Sequence, residues 1–196
     1  MSSYAASLGV STLPAVSTES ALEAFCADVR PRALRLALLE TGGHTAAASD
    51  LVQDALTRLV AHYRDRPEAQ WPPLFYGILR NRIVDWHRKR RVEKVFDFFF
   101  ADSEFDDGRE AAAWESLVDP ADGPEQQVAS LQQAARIAAA LQRLSTRQRQ
   151  VFVLREVEEL SIADTAQAMR ISEGSVRTHH LRALSRLRDW LEGDVR

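Results

Sequence analysis

Between positions 174 and 191 the chain reads GSVRTHHLRALSRLRDWL. Placed on a helix at 100° per residue, Ser175, Thr178, His179, Arg182 and Arg186 line one side. Val176, Ala183, Leu184, Leu187, Trp190 and Leu191 cluster on the other and require a core. The polar stripe holds hydrogen-bond donors long enough to reach base edges, and arginine can pair bidentately with guanine. Arg177 falls off that stripe, which suits a phosphate contact better than a base contact.

A second stretch, LFYGILRNRIVDWHRKRR at 74–91, repeats the pattern. Phe75, Ile78, Leu79, Ile83 and Trp86 form an apolar stripe, while Arg80, Val84, His87, Arg88 and Arg91 form a nearly all-basic face. Residues 71–91 carry six basic side chains against one acidic. With Trp71, Tyr76 and Trp86 nearby, this composition suits neutralisation of a nucleic-acid backbone combined with stacking on bases. Trp71 stands in the proline-bent run RDRPEAQWPP, a place where an unstacked base could lodge.

Other chemistries find little support. Cys26 is the single cysteine, so an internal disulfide and a multi-cysteine zinc site are excluded. In the helical run ALEAFCADV it reads as a small buried hydrophobe. His179 and His180 point about 100° apart with no further ligand at helical spacing, so no metal is expected there. His180 falls on the core side. There is no glycine-rich phosphate loop and no nucleophile elbow. Asp50 and Asp54 share a helix face, as solvated pairs commonly do. The expectation is a non-enzyme without a cofactor.

The chain is acidic overall, with 25 Lys and Arg against 28 Asp and Glu, net −3. The charge is segregated: −2 over 1–70, +5 over 71–91, −9 over 92–127 and +3 over 128–196. With a screening length of about 8–10 Å at physiological salt, each block acts locally. Two basic blocks flanking an acidic one can therefore hold a polyanion while the acidic block meets a different surface. No apolar run is long enough to span a membrane, and the first residues do not resemble a secretory signal, so the expected compartment is the cytoplasm.

The elements that must position these residues are helices. One is expected over Ala21–Glu40, stopped by Gly42 and Gly43. A second covers Ala46–Arg64, with Leu51, Ala55, Leu59 and His62 on one face, and a third covers Leu74–Arg91. Residues 92–124 are acidic, broken by Gly and Pro, and opened by the aromatic VFDFFF, which could cap the first core or dock on a partner. From Pro124 a helix runs through EQQVASLQQAARIAAALQRL. Ser145 with Gln148 and Ser161 with Asp164 form capping boxes for the next two helices, and Ser172 caps the last, over Glu173–Leu191. The fold class is all-α: two small helical domains, 20–91 and 125–192, joined by a flexible acidic linker at 92–124, with tails at 1–19 and 193–196.

Three stretches, in this order, resemble the extracytoplasmic-function (ECF) class of RNA polymerase sigma factors. SDLVQDALTRLV is similar to region 2.2 of that class, and LFYGILRNRIVDWHRKRR to regions 2.3–2.4. The run from LQRLSTRQRQVF to LRALSRLR resembles region 4 over its full length. The resemblance implies that Asp50, Gln53 and Asp54 contact the clamp of core RNA polymerase. It assigns Trp71, Arg80, Asn81, His87, Arg88 and Arg91 to recognition and melting of the −10 promoter element. Ser175, Arg177, Thr178, His179, Leu181, Arg182 and Arg186 would read the −35 element as duplex. It implies further that the acidic linker threads the positively charged RNA exit channel, that the free chain is a monomer, and that an anti-sigma factor controls it. Thr178–His179 replaces a Ser-Arg pair frequent in the class, which shifts the expected target sequence. Ser49 replaces a frequent acid at the clamp face.

The nearest rival is a regulator with a response-regulator type output domain, since LSTRQRQVF and SEGSVRTH match that helix-turn-helix nearly as well. Residues 20–91 show none of the alternating strands of a receiver. A purely structural helical adaptor would leave both basic helices unexplained.

Overall fold

The computed structural model describes residues 18–100 and 124–193, with side chains over 18–91 and 133–191. Every regular element among them is helical. The expected tails and most of the acidic linker lie outside the described residues.

Helix α1 spans Thr18–Thr41 and ends where the sequence demands. Gly42 adopts φ 69° and Gly43 φ 93°, and the Gly43 N–H donates to the Leu38 carbonyl at 2.9 Å. That bond closes the helix with a left-handed turn suited to glycine. Helix α2 spans Thr45–Tyr63 and buries Leu51, Ala55 and Leu59. His62, expected on the same face, is exposed in the last turn.

After a 3-10 turn at Glu68–Gln70, α3 runs from Trp71 to Phe100. It starts three residues before the expected Leu74 because Pro72 and Pro73 occupy its first turn, where no amide donor is required. It continues nine residues beyond Arg91, so the aromatic VFDFFF extends the helix; the side chains there are outside the described set.

The second group comprises α4 (Pro124–Arg143), α5 (Thr146–Phe152), a π-helical turn (Val153–Val157), α6 (Ile162–Met169) and α7 (Glu173–Gly193). All three expected caps are present. Ser145 accepts from the Gln148 amide at 3.4 Å, Ser161 from the Asp164 amide at 3.0 Å, and Ser172 from the Ser175 amide at 3.2 Å. The turn between α6 and α7 uses Arg170 at φ 52°, a left-handed non-glycine, with the Ile171 N–H donating to the Ala166 carbonyl at 3.1 Å.

The two groups are not held apart. One buried cluster joins Leu36, Leu39, Tyr76 and Leu79 of the first group to Val153, Leu154, Leu160 and Met169 of the second. A smaller cluster of Ala140, Leu144, Ala183 and Leu187 ties α4 to α7, with Arg143 over the Trp190 ring at 4.7 Å. Sequence periodicity treats each group as self-sufficient. The helices α5 and α6, however, have seven and eight residues, too few to enclose their own apolar faces; α3 packs on α6 and α7 on α5.

Candidate nucleic-acid interface

The packing of α7 follows its periodicity. Val176 and Ala183 are fully buried and Leu187 nearly so, while Leu184 and Trp190 are half-buried. Leu191, expected in the core, is exposed near the helix end. Away from the core stand Thr178, Leu181 and Arg182. Leu181 is 66% exposed, unusual for a leucine on a packed helix. Ser175 and His179 are half-buried, and the Ser175 hydroxyl lies 2.9 Å from that of Ser172. The Thr178 hydroxyl donates to the Gly174 carbonyl at 2.9 Å, and Arg177 pairs with Glu173 at 3.1 Å. Arg186 is steadied from α5, donating to Gln148 Oε1 at 3.2 Å. His180 turns inward as expected and meets Glu156 of the π-turn at 2.7 Å.

On α3, Phe75, Leu79 and Ile83 are buried and anchor the helix on α1 and α2. The basic face divides. Arg88 and Arg91 are exposed, whereas Arg80, Asn81 and His87 are half-buried. Burial lowers the pKa of the Arg80 guanidinium, reinforced by the positive charges of Arg147 and Arg170. Burial also lowers that of His87, against the opposing pull of Glu40.

Trp71 must be corrected. It is 1% exposed, with its ring tilted against Phe25 at 5.8 Å. Helix α3 starts at Trp71 itself, which turns the indole into the core instead of leaving it on an open loop. It cannot receive a base in this arrangement.

On α2, Asp50 and Gln53 are exposed and one turn apart. Asp54 is engaged within the fold: it accepts from Arg58 Nε at 3.0 Å and pairs with Arg82 of α3. The carboxylate therefore holds two helices together and offers less to an outside partner than its neighbours.

Several structural residues carry no obvious periodic signal. Arg149 makes a bidentate pair with Glu40, Nε–Oε1 2.8 Å and Nη2–Oε2 3.0 Å, with both side chains buried. The Tyr76 hydroxyl donates to Glu158, which also faces Arg32 Nε at 3.6 Å. Burial raises the Tyr76 pKa strongly, with the adjacent Glu158 adding to the effect. Burial likewise raises that of Glu158, although Tyr76 and Arg32 oppose it. One clue to Glu40 was available. An acid in the last turn of a helix faces the negative end of the helix dipole and needs a compensating cation.

Two basic helices stand out: α7, the long helix of a short-turn-long pair with an exposed ridge, and α3, whose apolar side joins the larger buried cluster. Residues 134–187 match the family model described as Sigma-70, region 4. The chain is similar to the RNA polymerase sigma-E factor of Streptomyces avermitilis, 30% identical over 146 residues, covering 74% of this chain and 71% of the relative. It is 28% identical to the ECF RNA polymerase sigma factor SigD of Mycobacterium tuberculosis over 158 residues, covering 79% and 67%. It is 29% identical to the ECF RNA polymerase sigma factor SigX of Bacillus subtilis over 149 residues, covering 73% and 70%.

Proposed function

Because the chain belongs to the ECF class of RNA polymerase sigma factors, we propose that it directs core polymerase to promoters through three separate faces. Helix α7 reads the −35 element in the major groove, α3 recognises and opens the −10 element, and the exposed Asp50 and Gln53 of α2 dock on the polymerase clamp.

The observation that carries this reading is the outward ridge of α7, with Thr178, Leu181 and Arg182 set opposite the buried Val176, Ala183 and Leu187. A helix held this firmly on one side and exposing donors together with a large apolar side chain on the other suits base edges. The arginine supplies donors, and the leucine can meet a thymine methyl. Arg177, paired with Glu173, and Arg186, held by Gln148, take phosphate-side roles that fix the register. On α3 the exposed Arg88 and Arg91 attract the backbone first, and Arg80, Asn81 and His87 follow once uncovered.

Reconstitution with core polymerase tests the reading. The chain should form a stoichiometric complex that competes with the housekeeping sigma factor and initiates at promoters sharing one −35 and one −10 element. Arg80→Ala with Arg88→Ala should slow open-complex formation more than −35 binding. A chain that binds duplex DNA but never joins polymerase would favour the response-regulator type output instead.

A further inference from the structure

We propose that residues 1–17 lie along the groove between α1 and α2, so that this apolar face is filled from within the chain itself.

Two hollows meet on that face. One, about 300 Å³, is bordered by Thr18, Leu22 and Cys26 of α1 and by Val60 of α2. The other, about 530 Å³, continues past Cys26 and Val60 to Leu56 and Gln53. Because they share Cys26 and Val60, the two form one channel along the helix pair. Its floor is apolar: Leu22 and Leu56 are buried, Cys26 is half-buried and Val60 is 40% exposed. Ala27 and Ala61 border the same channel and are exposed too. A contiguous apolar strip of this kind marks a contact surface, where a single exposed valine would not.

The position of the groove selects its occupant. It begins at Thr18, the residue that directly follows 1–17. That segment, MSSYAASLGVSTLPAVS, has no charged side chain, in a protein where 27% of residues are charged. Stretches that stay in water are poor in large apolar residues and rich in charge. This one instead brings Tyr4, Leu8, Val10, Leu13 and Val16.

Charge agrees with this choice. The mouth of the groove is rimmed by Glu19, Glu23 and Asp65, and Arg64 pairs with Asp65 at 3.8 Å. An uncharged segment meets no repulsion there and buries no unpaired charge. An acidic partner would face three carboxylates.

Reach agrees as well. Leu13 precedes Thr18 by five residues, up to about 17 Å of extended chain. Cys26 follows Thr18 by eight, about 12 Å along the helix. A chain that turns back at Thr18 therefore brings Leu13 level with Cys26 and Val60.

Cys26 is the only cysteine, so its alkylation reports occupancy of the groove in the full chain. Leu8→Ser, Val10→Ser, Leu13→Ser and Val16→Ser together should speed its labelling by N-ethylmaleimide at least fivefold, with helicity by circular dichroism unchanged. Equal rates in the variant and the wild type overturn the proposal. So does wild-type labelling that slows only as the protein concentration rises, which makes a second copy the occupant. Labelling that slows only when core polymerase is added gives the groove to the polymerase, beside Gln53, and also overturns it. A second variant needs no comparison of rates. Leu13→Cys should form a disulfide with Cys26 on mild oxidation of the dilute protein, within one molecule. Recovery of free thiols alone, or of linked dimers, overturns the proposal.

Discussion

Glu40 and Arg149 are 109 positions apart in sequence and share two hydrogen bonds in the interior, one carboxylate oxygen to each of two guanidinium nitrogens. The pair joins the end of α1 to α5. Removing one partner leaves a charge buried without its counterpart, which costs about 3–5 kcal/mol, whereas replacing both with apolar side chains of similar size is far milder. Glu40→Gln should therefore lower the unfolding free energy by about that amount. Glu40→Met combined with Arg149→Met should recover most of it. Denaturant unfolding of the wild type, Glu40→Met, Arg149→Met and the double variant in a double-mutant cycle measures the coupling.

Tyr76 and Glu158 form the second polar link. Loss of the hydroxyl in Tyr76→Phe removes a hydrogen bond to a charged group and should cost about 1.5–3 kcal/mol. Glu158→Gln should cost less, because burial already disfavours its ionised form. Equal losses in the two variants would contradict that ranking.

His87 makes stability depend on pH. Its folded pKa is held below the usual 6.5 by burial, with Arg149 and Arg91 acting in the same direction and Glu40 against them. The unfolded chain therefore takes up the proton first as pH falls. The stabilising contribution is complete above pH 6.5 and is lost as pH drops toward the folded value. Glu158 is shifted upward, so its contribution has the opposite slope and is lost as pH rises above the ordinary carboxylate range. His87→Gln should flatten the decline in Tm between pH 7 and pH 6 while leaving the Glu158 branch at lower pH unchanged.

In α7 the exposed Arg177 and Arg182 should separate by role. Arg182→Ala should reduce discrimination at one −35 base pair by about 1–3 kcal/mol without changing affinity for core polymerase. Arg177→Ala should weaken binding to every duplex alike and lower its salt dependence. Competition binding with single-base variants of the −35 element distinguishes the two.

Arg170 occupies the left-handed region at φ 52° in the turn before α7. That conformation costs an ordinary L-residue about 1 kcal/mol or more, and glycine avoids it. Arg170→Gly should raise Tm by a few degrees, less a smaller entropic loss from the more flexible unfolded chain.

Much of this was readable from residue types. The caps at Ser145, Ser161 and Ser172, the glycine stop after α1 and the buried stripes of α3 and α7 are local effects, set within a turn or two, and sequence carries them directly. Trp71 and Asp54 were misleading for one common reason. Each looks available until a neighbouring element arrives, Phe25 of α1 for the indole and Arg82 of α3 for the carboxylate. The packing of α3 on α6 was invisible because its partners are distant in sequence, and because a glycine within a helix, such as Gly77, signals close approach without naming what approaches.

Residues 128–196 contain eleven basic side chains, but three of them already have work inside the fold. Arg143 covers Trp190, Arg149 grips Glu40 and Arg155 donates to the Leu160 carbonyl. A cation so engaged displaces no condensed counterion when a duplex arrives. The ionic-strength dependence of −35 binding should thus be gentler than a tally of arginines suggests, leaving more of the affinity to contacts that distinguish one sequence from another.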